Sequence, residues 1–359
     1  MNWNSPPQLK EILYNKLKLT CDVKTKGGKK SKPQPSTSDE ALQQMRGQHP
    51  IIEKILEYRK YKKIQGTYIK NWLAWSEETG RATPDINSIG TPTGRISSNF
   101  QQIPNPGSMK YKDCPELAQQ IRRGVIEDEG YSLVEADFSQ CDLRVLADQS
   151  GDTAFINALN TGDTHQSVAS DIYNVPTEKV TATQRSHAKA INLAIPYGKG
   201  DKALASEINV SDERAKEFID SWFRKYPTVK VWMRQMVYEA KDKKYVQIPY
   251  GGKRRYDMIP DLFSNNKWER FAAERRVVNS ICQGGTGYLL KHAKIKLFDL
   301  IPRNIMFEVH DALLFRVKDD ELKSVCRIIK TGMENAYKMS VDLQVSIKVG
   351  KNLGEMEKV

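Results

Sequence analysis

Residues 131–146 combine the pattern of a buried strand with that of a helix, and an aspartate stands at the junction. The run from Tyr131 to Phe138 predicts a short buried strand, and from Ser139 onward the apolar residues recur at helical spacing. Asp137 therefore comes at the end of the strand, where a rigidly held carboxylate suits a divalent cation. Such an acid can instead cap the next helix, but Ser139 is already a good N-cap, with Asp142 as its capping-box partner. We therefore expect Asp137 to be free to bind a cation.

A second stretch, residues 304–317, has the alternating pattern of a β-hairpin with Asp311 at its tip. The apolar residues that alternate on the two sides of the tip are Ile305, Phe307, Val309, Leu313, Phe315 and Val317. Two carboxylates on neighbouring strands can hold two metal ions about 4 Å apart, which activate an attacking hydroxyl and stabilise a pyrophosphate leaving group in phosphoryl transfer. The spacing alone leaves open whether Asp137 and Asp311 meet.

A third stretch predicts a helix that starts at a cap, Thr181 or Thr183, and runs to Tyr197. Its most distinctive face carries Arg185, Lys189, Leu193 and Tyr197. Two cations one turn apart near a helix N-terminus suit a triphosphate, because the helix dipole is positive there. A solvated basic face is the commoner explanation of such a pair. It is disfavoured here because the same face continues with a large apolar residue and a tyrosine.

Composition limits the partners and the compartment. Lys and Arg number 56 against 44 acids, a net charge of +12, which favours an acidic polymer as partner, although a basic pI is often only a matter of solubility. The five cysteines form no C-x-x-C pair, so neither a zinc site nor a disulfide framework is indicated, and a reducing, cytoplasmic location is expected. No signal core or membrane-length apolar run occurs, so we expect a soluble protein.

The three stretches resemble, in order, motifs A, B and C of the family A DNA polymerases, the DNA polymerase I family. Motif A is similar to residues 137–144, motif B to residues 185–198 and motif C to residues 309–313. Residues 91–98 are similar to the family's T-x-T-G-R segment, and residues 274–284 to its E-R-x(3)-N-x(3)-Q-G segment. The resemblance covers nearly the whole chain. It implies an α+β fold of the right-hand type, with an antiparallel palm sheet, helical fingers and a shortened helical thumb.

The resemblance also implies a division of the chain. Residues 1–88 are expected to form a partial thumb with a mobile basic loop at about 22–38, for which a solvated linker is the alternative interpretation. Residues 89–150 form the first part of the palm, 151–262 the fingers and 263–359 the second part of the palm. Family members usually carry an exonuclease domain upstream. We expect no proofreading in this chain and low processivity, unless a separate chain supplies the exonuclease or the rest of the thumb.

The implied activity is template-directed extension of a primer 3′-OH with dNTPs, dependent on two Mg²⁺ ions for which Mn²⁺ can substitute. The resemblance assigns the metals to Asp137, Asp311 and the backbone carbonyl of Phe138, and gives Lys189 a catalytic role in protonating pyrophosphate. The residues implied to bind the nucleotide are Arg185, Lys189, Leu193, Tyr197, His165, Gln140 and Asp142. The residues implied to bind primer-template DNA are Arg95, Arg275, Asn279, Gln283 and His310.

The helix of motif B departs from the family pattern. Leu193 stands where the family has an aromatic residue, Ala194 replaces a glycine, and Pro196 falls within the last turn. Because proline removes a helical hydrogen bond, we expect a kink before Tyr197. We also expect altered nucleotide selectivity, which Leu193→Phe should change.

Two further departures leave rival functions open. Asp142 is shorter than the family's glutamate that blocks the ribose 2′-OH, so weaker exclusion of ribonucleotides is expected. Ala312 replaces a second acid of motif C that lies outside the metal pair, so activity is expected to survive. One rival is an RNA polymerase of related fold, favoured by Asp142 but opposed by the DNA-type T-G-R and motif B segments. The other is a non-catalytic DNA-binding subunit, suggested by Ala312 and the altered helix.

Overall fold

The structure, a computed structural model, describes residues 1–25, 33–106, 111, 114–309 and 311–359. The chain divides into two compact units, Met1–Thr83 and Pro84–Val359, each with a hydrophobic core of its own. Within the described ranges, no helix is both long enough and apolar enough to cross a bilayer.

The first unit consists of short helices around a small apolar core. Its helices are α1 (Pro6–Lys10), which continues as a π-helix over Glu11–Lys16, α2 (Asp39–Gln44), α3 (Ile51–Ile64) and α4 (Lys70–Thr79). Leu9 and Leu13 are one turn apart and fully buried in one cluster with side chains of α2 and α3. Ser38 caps α2 by accepting a hydrogen bond from the Ala41 amide. Apolar residues at helical spacing thus lie on one face of each helix, and these faces form the core of the unit.

The predicted basic loop is described only at its two ends, since residues 26–32 lie outside the described residues. Thr25 N donates to Gln34 O at 2.8 Å, and Lys24 forms an antiparallel bridge with Pro35. The two described ends therefore run side by side in opposite directions. The mobility of the loop stays a prediction.

The second unit is built on an antiparallel sheet. Its strands are β1 (Ile86–Asn87), β2 (Ser97–Ser98), β3 (Tyr131–Phe138), β4 (Val246–Gln247), β5 (Arg254–Arg255), β6 (Ile305–Val309), β7 (Ala312–Lys318), β8 (Val345–Gly350) and β9 (Glu357–Lys358). The main sheet has five strands in the order β6-β7-β3-β8-β9, while β1 pairs with β2 and β4 with β5. β3 lies between β7 and β8, so both of its hydrogen-bonding sides are paired, and Leu133, Val134 and Ala136 are fully buried.

The helices of the second unit surround this sheet and form a second, helical core. They are α5 (Pro115–Arg123), α6 (Cys141–Ser150), α7 (Thr153–Thr161), α8 (Thr164–Tyr173), α9 (Ala182–Ala194), α10 (Asp201–Ile208), α11 (Asp212–Lys225), α12 (Pro227–Lys243), α13 (Lys267–Leu300) and α14 (Leu322–Glu334). α13 belongs to both cores, because Val277 and Ile281 pack in the helical core whereas Leu289 and Leu297 pack against the sheet. The polar residues between these two stretches therefore lie where the cores adjoin.

The predicted capping box at the start of α6 is wrong. The N-cap is Gln140, in a left-handed conformation with φ 55°, and its side chain forms no capping hydrogen bond. Ser139 N instead donates to Gln344 O at 2.8 Å. Sheet-type hydrogen bonding thus continues one residue beyond β3, and the chain turns into the helix only at Gln140.

The predicted course of the motif B helix is also wrong at its C-terminal end. α9 begins, as one of the two alternatives predicted, at Thr181, which forms a capping box with Gln184. It ends at Ala194, so there is no kinked turn reaching Tyr197. Pro196 has no N–H to continue the helical hydrogen bonds, and Lys199 N closes the end by donating to Ala194 O at 3.0 Å.

Candidate active site

The sheet brings Asp137 and Asp311 to the same edge, the one at which β3 ends and the β6–β7 hairpin turns. β3 runs antiparallel to β7 with Asp137 directly opposite Ala312, the residue after Asp311. Phe138 N lies 3.5 Å from the Asp311 carbonyl oxygen, so the hairpin tip is beside the end of β3. The question that the spacing left open is therefore answered: the two aspartates lie side by side.

Burial and neighbouring charges raise the pKa of both carboxylates. Burial, reinforced by the charge of Asp311, raises the pKa of Asp137 to about 7. Burial also raises the pKa of Asp311 to about 6, although the nearby Arg95 opposes the shift. Two ionised carboxylates at this edge are therefore unfavourable unless positive charge compensates them.

The donor set fits Mg²⁺. Mg²⁺ usually binds through one or two carboxylates plus substrate phosphates and water rather than in an all-protein cage. Within the described part of the chain, no cluster of three or more His, Cys, Asp or Glu side chains suited to a metal occurs. Asp311 Oδ1 is buried, and Arg95 Nη2 lies 2.9 Å from it, so this oxygen stands where a positive charge is favoured.

Arg95 is the compensating charge in the structure. Its Nη2 lies 2.9 Å from Asp311 Oδ1 and 3.1 Å from Asp142 Oδ1, and its Nε donates to the Gln283 carbonyl at 3.1 Å. Gly287 allows this approach, because a Cβ there would come within 2.9 Å of Arg95 Cγ. Arg95 thus bridges the carboxylates of the site, and its predicted contact with DNA stays a prediction.

Asp142 joins this edge of the sheet to the motif B segment. Its Oδ2 accepts a hydrogen bond from the Tyr197 hydroxyl at 3.0 Å, and its Oδ1 accepts one from Thr286 Oγ1 at 2.6 Å. The acid therefore reaches the tyrosine even though it is one methylene shorter than glutamate. Sequence reasoning missed Thr286, whose only signal is its position three residues after Gln283 on the same helix.

The exposed face of α9 carries the predicted nucleotide-binding residues. Arg185 and Lys189 are exposed, Leu193 is 43% exposed and Tyr197, in the turn beyond the helix, is 40% exposed. Arg185 Nε donates to Asp163 Oδ2 at 2.6 Å, and Asp163 in turn caps α8. These side chains are thus presented to solvent as one surface, with Arg185 oriented by an acid.

Gln140, predicted to bind nucleotide, lies at the turn between β3 and α6. Its Oε1 is buried and has no hydrogen-bond partner among the described residues. Its left-handed backbone conformation is uncommon for a residue other than glycine, and such a conformation persists only where the surrounding structure holds the residue in place.

His165 is buried at the N-terminal end of α8, with 6% of its surface exposed. Its Nδ1 lies 2.8 Å from the side-chain amide nitrogen of Asn192 on α9. Burial lowers its pKa to about 4, and the charges of Arg185 and Lys189 act in the same direction, although Asp163 opposes them. His165 is therefore neutral near pH 7.

We expect His165→Gln to reduce the loss of unfolding free energy that occurs as the pH is lowered from about 6.5 to 4. The pKa of His165 is about 4 when folded against an ordinary 6.5, so the unfolded chain binds more protons in this window. The stability linked to His165 is complete above pH 6.5 and is lost as the pH falls towards 4, a change of about 3 kcal/mol in the free energy of unfolding. Urea unfolding at several pH values measures it; equal pH dependence in the two proteins would contradict it.

The predicted DNA-binding residues share the middle of α13, except for Arg95 and for His310, which lies outside the described residues. Arg275 is exposed, whereas Asn279 and Gln283 are half-buried on the same helix. Gly198, with φ 58°, packs on Arg275: a Cβ at this glycine would lie 2.5 Å from Arg275 Cγ. The turn after α9 therefore fits directly against the polar stripe of α13.

Comparison with known proteins agrees with these features. The model of DNA polymerase family A matches residues 1–355. The thermostable DNA polymerase I of Thermus aquaticus is 37% identical over 98% of this chain and 41% of its own length, and the DNA polymerase I of Caldicellulosiruptor bescii is 38% identical over 98% and 40%. The chain thus spans about two fifths of the length of these curated relatives.

A solved structure supports the same relationship. The POL domain of Pol1 from M. smegmatis, in complex with DNA primer-template and dNTP, matches with a TM-score of 0.83 and 32% identity, covering 99% of this chain and 61% of that one. The predicted α+β polymerase fold is thereby confirmed. With a family match over almost its entire length and the two motif aspartates side by side at the edge of the sheet, the chain belongs to DNA polymerase family A.

Proposed function

We propose that this chain is a template-directed DNA polymerase that extends a primer 3′-OH with dNTPs and releases pyrophosphate. The observation that carries the proposal is the register of β3 against β7, which places Asp137 and Asp311 at one edge of the sheet. Their raised pKa values and the oxygen-only donor set support a role in holding divalent cations. The relatives named above are DNA polymerases, which supports the same reaction for this chain.

In this proposal Asp137, Asp311 and the carbonyl of Phe138 hold two Mg²⁺ ions, replaceable by Mn²⁺, which when bound activate the attacking 3′-OH and stabilise the leaving pyrophosphate. Arg95 Nη2, 2.9 Å from Asp311 Oδ1, compensates the charge of this carboxylate and lies beside the residues that would hold the metal.

The remaining residues position the two substrates. Arg185 and Lys189 bind the triphosphate along the exposed face of α9, with Lys189 also donating a proton to the departing pyrophosphate. Leu193 packs on the sugar and Tyr197 on the base or the templating position, beside Gln140 and Asp142. The side chains that contact the primer-template are Arg95, Arg275, Asn279, Gln283 and His310. Residues 1–88 act as thumb, 151–262 as fingers, and 89–150 with 263–359 as palm.

The decisive experiment is primer extension by the purified chain with Mg²⁺, comparing dNTPs with rNTPs and the wild type with Asp311→Ala. We expect extension with dNTPs that Asp311→Ala abolishes. Preference for rNTPs would indicate an RNA polymerase, and DNA binding without extension would indicate a non-catalytic subunit. Repeating the assay with Mn²⁺ tests whether this ion substitutes.

We expect Asp142→Glu to increase discrimination against rNTPs by about tenfold. Asp142 accepts the Tyr197 hydrogen bond at 3.0 Å, so the shorter acid keeps this contact but leaves more room on the sugar side. A methylene of extra bulk is worth roughly tenfold or more in such a pocket. The ratio of kcat/KM for a dNTP and its matching rNTP measures the effect; equal ratios for the two enzymes would remove the hypothesis.

A further inference from the structure

A buried chain of polar side chains ends on His165, which the resemblance assigns to nucleotide binding, and its other two members, Trp222 and Asn192, have no role in the function proposed above. Trp222 Nε1 donates to Asn192 Oδ1 at 2.7 Å, and Asn192 Nδ2 lies 2.8 Å from His165 Nδ1. Trp222 is 1% exposed, Asn192 is 0% exposed and His165 is 6% exposed. These groups therefore exchange hydrogen bonds with one another rather than with water.

The direction of the hydrogen bonds follows from the chemistry of the Trp222 end. An indole N–H only donates, so the amide oxygen of Asn192 must face Trp222. The amide nitrogen then faces the imidazole, and because it also only donates, His165 Nδ1 must accept. A neutral imidazole carries one N–H, so the proton of His165 lies on Nε2.

The second ring nitrogen of His165, Nε2, is suited to donate a hydrogen bond to an anion. Within the described residues Nε2 of His165 forms no hydrogen bond, and the charges of Arg185 and Lys189 are close enough to lower the pKa of the ring. Asp163 holds the arrangement together, since its Oδ1 accepts from the His165 amide and its Oδ2 from Arg185 Nε. A neutral N–H donor near two cations is a suitable partner for a phosphate oxygen.

We propose that Asn192, anchored by Trp222, is a positioning residue that holds His165 in the Nε2–H tautomer, so that the neutral ring donates to a phosphate oxygen of the incoming nucleotide. This inference rests on the proposed function, because it needs a triphosphate bound along α9. The opposite tautomer would direct a lone pair at the phosphate and repel it. Since burial lowers the pKa of His165 to about 4, the donor is present across the neutral range.

The tautomer is measured directly by NMR of the protein labelled with ¹⁵N-histidine at pH 7, with His165→Gln to assign the resonances. We expect His165 Nδ1 to be unprotonated and Nε2 protonated in the free wild type. In Asn192→Asp an acceptor replaces the amide nitrogen, so the proton should move to Nδ1. Trp222→Phe keeps an aromatic ring but frees the amide to rotate, so both tautomers should appear; this variant decides if Asn192→Asp does not fold. A wild type with the Nδ1–H tautomer would overturn the proposal, as would no difference between the wild type and the folded variants.

The role towards phosphate has its own readouts. Adding primer-template and dNTP to the wild type should shift the His165 Nε2 resonance. Asn192→Asp should raise KM for the dNTP by about tenfold, which corresponds to one lost hydrogen bond to a charged group, with a smaller change in kcat. His187→Gln, on the same helix but outside the polar chain, is the matched control and should leave KM unchanged.

The two proposals fail in different ways. An unmoved Nε2 resonance, or an unchanged KM in Asn192→Asp, would overturn the phosphate role even if the wild type extends a primer. A wild type that binds primer-template and dNTP with the expected shift but extends nothing would overturn the proposed function and leave the positioning role supported.

Discussion

Replacing Asp311 by asparagine is expected to slow primer extension by at least about 10³-fold while the protein remains folded. Asparagine keeps the shape of the side chain at the hairpin tip but removes the negative charge that faces Asp137. Metal-supported stabilisation of the transition state is worth several kcal/mol, and each 1.36 kcal/mol is about tenfold in rate. The same substitution at Asp137 should have a similar effect. Single-turnover extension at fixed Mg²⁺ measures both.

The matched control for this prediction is Asp319→Asn. Asp319 lies beyond the opposite end of β7, where it pairs with Lys351 on the surface, and its loss should leave the rate unchanged. A rate for Asp311→Asn within about tenfold of the wild type would contradict the proposed role of the carboxylate pair.

The same aspartates should be costly for stability without a metal. Because the folded pKa of Asp137 is raised from 3.8 to about 7, its contribution is intact below pH 3.8 and is lost as the pH rises through 7. At pH 8 in a chelator, Asp137→Asn should therefore unfold at a higher urea concentration than the wild type. A midpoint below that of the wild type would show that the charged form is stabilised by something other than a cation.

Replacing Lys189 by alanine is expected to lower kcat/KM for dNTPs by about 10³-fold. One hydrogen bond to a charged group contributes about 1.5–3 kcal/mol, and general-acid assistance adds roughly 10²-fold or more. Lys189 is exposed on α9 one turn after Arg185, so alanine removes the charge without disturbing the core. Rapid-quench extension over a range of dNTP concentrations separates the effect on binding from the effect on the chemical step.

Lys189→Arg distinguishes charge from proton transfer. Arginine keeps the positive charge but does not release a proton near neutral pH, so dNTP binding should recover more than the rate of the chemical step. Lys179→Ala, which removes an exposed lysine outside the predicted site, is the matched control. Equal losses in Lys189→Ala and Lys179→Ala would show that only general electrostatic attraction is involved.

Local periodicity was sufficient to predict much of the framework. The stretch from Tyr131 to Phe138, predicted as a short buried strand, is β3 to the residue, and most of its side chains are buried. The alternation around Asp311 marks the β6–β7 hairpin, because successive side chains of a strand point to opposite faces of the sheet. The exposed stripe of α9 follows from its 3.6-residue repeat.

Local rules failed where a distant segment competed with them. Ser139 looks like an N-cap, but its amide pairs with Gln344, which is far away in the chain, so the helix starts later. Pro196 was expected to kink α9, whereas the helix ends before it and the turn packs through Gly198 against Arg275.

Residue type and short-range spacing were sufficient to identify the family and the order of the motifs, and they pointed to the two aspartates. The contacts between distant side chains became evident only from the packing of the elements. Arg95 lies 47 residues from Asp142, and Thr286 lies 144 residues from it, yet each is within hydrogen-bonding distance of the same carboxylate oxygen. The link from Trp222 through Asn192 to His165 likewise joins three helices. Periodic patterns specify which face of an element is buried, but the partners across that face are set by how the elements pack.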